Sequence, residues 1–233
     1  MKKLLFLVFL ILWLFPGCSL VQKISPEEQF KKSFPQHQYE TLTQTSVKGV
    51  YEVYNGRQIY YYLPEGDILF VGSMIAKDGA NITQESSIQK MKSKLAVLSL
   101  DKALKIGSGK TPVVEFIDPN CHYCRLSYNY FASRMKEVTL YVFFHPLSQD
   151  SENIIRHVMC SGDKARAYAD ALGGKLEESG KLNLCSDKDA EDLIKAHQEA
   201  SAKIGVRATP LFYIKGQVVP GFDKPVIEKL LKE

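Results

Sequence analysis

The first apolar block is unbroken over residues 4–15. It stands behind Lys2 and Lys3 and ahead of Pro16-Gly17-Cys18. A helix needs about 20 apolar residues to cross a hydrocarbon core, so these 12 residues predict an export signal rather than a permanent span. The pattern then becomes short and amphipathic. Ser25-Pro26-Glu27-Glu28 combines an N-cap, a proline at the first helical position and a capping-box glutamate, predicting a helix that ends before Pro35. Alternation takes over next: 50–54, 58–63 and 67–75 predict the strands of a meander, parted by Asn55-Gly56 and Pro64-Glu65-Gly66.

Helical spacing returns at Ile88, Met91, Leu95 and Leu98 and predicts a linker helix from 83 to about 104. Ile106-Gly107-Ser108-Gly109-Lys110 reads as a seam that holds no packed element. Beyond it, 112–117 predicts a buried strand, Asp118-Pro119-Asn120 a turn, and 121 to about 137 a helix. Helical patterns recur at 163–172 and 187–204, before a strand opened by Thr209-Pro210. The expected organisation is a signal at 1–17, a small N-terminal domain at 18–78, a linker helix at 79–109 and a catalytic domain at 110–233.

Composition narrows the class. With 233 residues, 45% of them hydrophobic and 24% charged, the chain can bury one sizeable core and a smaller second one, and disorder is excluded. A dispersed net charge of +4 gives no nucleic-acid footprint. The meander with its short helix makes a meagre core. Its tyrosine-rich strands would leave an open edge, which either a second copy covers across a twofold axis or water solvates.

Five cysteines are an odd number for an exported protein. Cys121-His122-Tyr123-Cys124 falls at a strand-to-helix junction. Such a pair alone could be half of a zinc site, but zinc wants four ligands and no second pair or spaced histidines follow. No metal or other cofactor is therefore expected. The redox reading gives each position a reason. A helix N-terminus favours an anion, so Cys121 is expected as the attacking thiolate. Cys124, one turn further in, is shielded and can resolve a mixed disulfide at Cys121. His122 would stabilise the thiolate if it faced the sulfur, with a solvated helix-face histidine as the alternative. Tyr123 offers an apolar contact for substrate. Glu115, six residues before Cys121 on the preceding strand, is costly inside a sheet unless used. It could carry protons to or from Cys124, or else reach water at an edge.

Three resemblances follow from these residues. Phe15-Pro16-Gly17-Cys18 resembles a bacterial lipobox, which implies lipidation of Cys18 and a membrane anchor, with Ser19 leaning toward the outer membrane. The paired cysteines followed by Gly205-Val206-Arg207-Ala208-Thr209-Pro210-Leu211-Phe212 resemble the thioredoxin fold, in which Thr209 and a cis Pro210 would lie against the active site and pair with an extended client. Cys160 and Cys185 lie between these motifs. In an exported chain such a pair is expected oxidised, worth roughly 3 kcal/mol for a loop of about 25 residues; a second redox pair or two buried thiols are the alternatives.

The ordered set, a meander, a linker helix, a thioredoxin-like domain with a helical insertion and a Thr-Pro loop, resembles the DsbC/DsbG family of periplasmic disulfide isomerases. The resemblance implies an α/β thioredoxin-like fold preceded by a small α+β, cystatin-like dimerisation domain. It also implies a periplasmic homodimer acting as isomerase or reductase on misfolded or misoxidised exported proteins, and a DsbD-type membrane reductase that keeps the pair reduced. His-Tyr between the cysteines and Glu115, placed where DsbA-type oxidases carry glutamate, keep a thiol oxidase open. A lipoprotein chaperone or assembly factor with an incidental disulfide is the alternative from another class.

Overall fold

The computed structural model describes residues 24–176 and 182–233, so the export signal and Cys18 lie outside the described residues. The N-terminal module begins with helix α1 (Pro26–Ser33), whose Ser25 cap and Glu28 close the expected capping box. Four antiparallel strands follow in spatial order, β1 (Thr41–Gln44), β2 (Tyr51–Tyr54), β3 (Ile59–Leu63) and β4 (Ile68–Phe70). Strand β1 had no sequence signal, because Thr-Leu-Thr-Gln is a polar edge with no buried residue. The third expected strand is shorter than 67–75, and β4 stops two residues short of Gly72.

The tyrosines are not left to solvent. Tyr54, Tyr61 and Tyr62 are buried. On one face Phe30 of α1 meets Tyr62 and Tyr39 edge to face, with centroids 5.1 and 5.4 Å apart. On the other, Tyr54 is flanked by Lys90 and Lys94 of helix α2 (Ile82–Leu95), and the hydroxyl of Tyr61 bonds Thr83 at the start of that helix. Helix α1 and the linker helix α2 thus cover the two sheet faces, and the apolar open edge is β4.

Helix α2 ends at Leu95 rather than near residue 104. Residues expected to be linker and seam instead form β5 (Leu104–Gly107), an edge strand antiparallel to β7 (Val138–Phe144). Glycine permits this close approach: a Cβ on Gly109 would lie 2.0 Å from the Glu137 backbone. The second sheet runs β5-β7-β6-β8-β9, with β6 (Thr111–Ile117), β8 (Leu211–Ile214) and β9 (Gln217–Pro220). Only β6 and β7 are parallel, and β6 is central. This is the thioredoxin arrangement.

Along β6 the side chains alternate between two cores. Val113 and Ile117 join Cys124 and Phe131 of helix α3 (His122–Ala132). Val114 and Phe116 join Leu95 and Met91 of α2 and Leu211 of β8. Helices α4 (Gln149–Met159), α5 (Lys164–Leu172) and α6 (Lys188–Ile204) form the insertion, and α7 (Lys224–Lys232) closes the chain. Cys160, the C-cap of α4, is disulfide-bonded to Cys185.

Candidate active site

Helix α3 starts immediately after Cys121, which occupies the N-cap position without a side-chain capping bond. Its thiol instead donates to the Thr209 carbonyl at 3.3 Å. The Thr209-Pro210 peptide is cis. The structure thus brings together two motifs 88 residues apart and aims the first sulfur at the loop before β8. Cys121 and Cys124 are both free thiols, the first half-buried and the second buried. Burial pushes the Cys124 thiol well above the ordinary range, against weaker pulls from the Asp118 backbone and the Thr209 hydroxyl. That hydroxyl is itself buried without a partner at hydrogen-bonding geometry.

His122 is exposed and sets its ring edge-on against Tyr123 at 5.5 Å. It makes no hydrogen bond to Cys121 among the described residues. Tyr123, Leu126 and Leu147 are exposed apolar groups on the same end of the domain. Glu115, on the central strand and not at an edge, is fully buried and faces the core that contains Cys124. Desolvation pushes its carboxyl up to about 7, partly offset by the hydrogen bond it accepts from Tyr168 Oη at 2.7 Å.

Several supporting residues carried no sequence signal. Asp118, only a turn residue by pattern, is buried. Its carboxylate accepts from Asn120 N at 2.6 Å, Ser151 Oγ at 2.9 Å and Leu147 N at 2.6 Å. These bonds tie the cysteine loop to the loop before α4. From α3, Arg125 Nε donates to the Pro119 carbonyl at 2.9 Å and clamps the same turn. A crevice of about 430 Å³ opens beside Arg207, between Arg57 and Gln58 of the N-terminal module and His145 and Gln198 of the second domain.

Comparison with known proteins agrees with this architecture. A family described as "Disulfide bond isomerase protein N-terminal domain" matches residues 20–84. A relative from Bordetella avium, "Probable thiol:disulfide interchange protein DsbC", is 32% identical over 51% of this chain and 44% of its own. The Escherichia coli "Thiol:disulfide interchange protein DsbC" is 24% identical over 77% of this chain and 75% of its own. The chain carries a DsbC-type N-terminal domain and is similar to the DsbC thiol:disulfide interchange proteins. The chain spans about half the length of the first of the curated relatives it matches. Among solved structures, a linker-deletion mutant of Proteus mirabilis ScsC superposes with a TM-score of 0.50 at 19% identity, covering 65% of this chain and 85% of that one. That likeness is one of fold alone.

Proposed function

We propose that the protein catalyses thiol-disulfide exchange on exported proteins, acting as a disulfide isomerase and reductase. The reading rests on one observation above the others: the Cys121 thiol points at the Thr209 carbonyl of a cis-proline loop, in a chain with a DsbC-type N-terminal domain. An extended client pairing with the backbone at Thr209 and Pro210 would bring its disulfide onto Cys121. Tyr123, Leu126 and Leu147 offer it an apolar contact surface.

In the reaction, Cys121 as thiolate attacks a client disulfide. One client sulfur leaves as thiolate and the other stays bonded to Cys121. Isomerisation follows when a different client thiolate attacks that sulfur and releases Cys121. In reduction, Cys124 gives its proton to the Glu115 carboxylate and attacks Cys121. The Cys121–Cys124 bond forms, the Cys121–client bond breaks, and the client thiolate takes a proton from water. A DsbD-type membrane reductase would restore the dithiol. His122, exposed at the helix start, would meet the client rather than the sulfur. The Cys160–Cys185 disulfide is structural, holding the ends of the insertion.

The working unit is a homodimer joined through the N-terminal modules. Edge strand β4 supports this, because Ile68, Phe70 and the following Val71 are exposed there, whereas edge strand β1 is polar. Periplasmic residence with a lipid anchor at Cys18 completes the proposal. The test is reactivation of scrambled ribonuclease, with sedimentation to fix the oligomer. A monomer that leaves scrambled ribonuclease inactive while rapidly oxidising reduced ribonuclease would replace this reading with a thiol oxidase.

A further inference from the structure

We propose that Tyr168 is a positioning residue of the exchange reaction, its hydroxyl holding the Glu115 carboxylate in place to take the proton of Cys124. The inference rests on the thiol-exchange reading and assigns a role to a residue of the helical insertion, outside both sequence motifs.

The geometry is that of an enclosed unit. Tyr168, Glu115 and Cys124 are each 1% exposed and lie in or face the same core. Tyr168 Oη donates to Glu115 Oε1 at 2.7 Å, the one side-chain hydrogen bond to that carboxyl among the described residues. Tyr168 and Cys124 belong to one buried core, and Glu115 points into it from the face of β6 that also carries Val113 and Ile117. Its ring is held by Tyr128 of α3, edge to face at 5.7 Å, and by Phe144 of β7 at 6.3 Å. The loop closed by Cys160–Cys185 contains α5 and so restrains the helix that delivers Tyr168.

Burial and the hydroxyl oppose each other on Glu115. Burial favours the neutral acid, and the hydrogen bond favours the carboxylate. A neutral Glu115 cannot accept the Cys124 proton, so the hydroxyl decides how much working base exists near neutral pH. Among the described residues, the other titratable groups facing this pocket are Cys124 and Tyr128 from α3. The strand neighbours of Glu115, Val142 and Phe212, carry no charge. Lys175 and Asp170 act on Tyr128 with opposite sign. The step moves one proton from Cys124 to Glu115; the resulting thiolate attacks Cys121 as described above, and Glu115 later returns the proton to solvent or to Cys124.

The experiment is stopped-flow reaction of the reduced full-length protein with stoichiometric dithiobis(nitrobenzoate), followed by thionitrobenzoate absorbance. The first phase reports attack by Cys121 and the second reports attack by Cys124 on the mixed disulfide. Glu115→Gln should slow the second phase about tenfold or more relative to the first. Tyr168→Phe should move the pH at which the second phase is half-maximal up by about one unit, with a roughly fivefold lower ratio of second to first phase near neutral pH. Site-specific 3-fluorotyrosine at 168, a stronger donor of the same shape, should move that midpoint down, and it carries the test if Tyr168→Phe fails to fold. Midpoints that stay at the wild-type pH in both Tyr168 variants, while Glu115→Gln still slows the second phase, would overturn the inference and leave the exchange reading standing. A Glu115→Gln protein with a wild-type second phase would remove Glu115 from the reaction and the inference with it. A protein that shows neither phase would refute the exchange reading itself.

Discussion

Glu115 makes a quantitative demand on stability. Its carboxyl titrates near 7 in the folded protein against 4.5 without the fold, and desolvation is the main cause. The folded state therefore holds the proton more tightly than the unfolded chain. Its favourable contribution is complete below about pH 4.5 and is lost as pH rises through 7. That displacement is worth roughly 3 kcal/mol in full, most of which falls between pH 5 and 8. Glu115→Gln keeps an acceptor for Tyr168 Oη and removes the titration. Urea unfolding of wild type and variant, both carrying Cys121→Ser to fix the redox state of the pair, isolates the effect. Other titrating groups such as His197 are common to both proteins and drop out of the difference. The variant should gain roughly 2 to 3 kcal/mol on wild type between pH 5 and 8. A difference that changes by less than about 0.5 kcal/mol over that range would show that the carboxyl reaches water, and the proton-carrying role would fail with it.

Four further outcomes follow. Replacing Cys160 and Cys185 by serine should cost about 3 kcal/mol, from the entropy of a 25-residue loop, measured as a lower urea midpoint without reductant. His197 accepts from Phe144 N and bonds the Lys102 carbonyl, and burial holds it down to about 4, so it favours the folded state above pH 6.5 and loses that contribution as pH falls through 4. His197→Phe should cost about 2 kcal/mol at neutral pH yet flatten the acid limb of stability, read by thermal unfolding at both ends. Asp118→Ala strands three donors, Asn120 N in the cysteine loop and Leu147 N and Ser151 Oγ at the start of α4, and should cost about 3 kcal/mol or more, with slower attack at Cys121 on the same aryl disulfide. Phe70→Lys, at an exposed edge position, should convert a dimer to monomer in sedimentation while leaving the far-ultraviolet spectrum as it was.

Legibility in the sequence followed the range of the interactions. Helix α1 could be read because its signal is local: Ser25 and Glu28 satisfy one another within a single turn. The cysteine pair and the Thr209-Pro210 loop could be placed because each sits at an element boundary that the local pattern marks, although their meeting spans the domain. Strands β1 and β5 could not, since Thr-Leu-Thr-Gln and Leu-Lys-Ile-Gly are edge segments whose pairing is decided by the strand beside them. The tyrosines of the meander offered two readings because period alone does not say what covers a sheet face. Here Phe30 from one helix and the paired lysines of α2 cover it.

Glu115 marks the limit most clearly. Strand alternation alone places it opposite Val114 and Phe116 and flags an acid in a sheet as costly. Whether that acid is a proton carrier depends on what donates to it, and the donor, Tyr168, lies 53 residues away in a helix that resembles any other amphipathic segment. The insertion is therefore more than a spacer between the cysteines and the proline loop. It packs on the core that holds Cys124, supplies the one hydroxyl that bonds Glu115 among the described residues, and is itself closed by the second cysteine pair. The Cys160–Cys185 disulfide and the Cys121/Cys124 thiol pair are thereby linked through one tyrosine, so that loosening the first should be felt in the reactivity of the second.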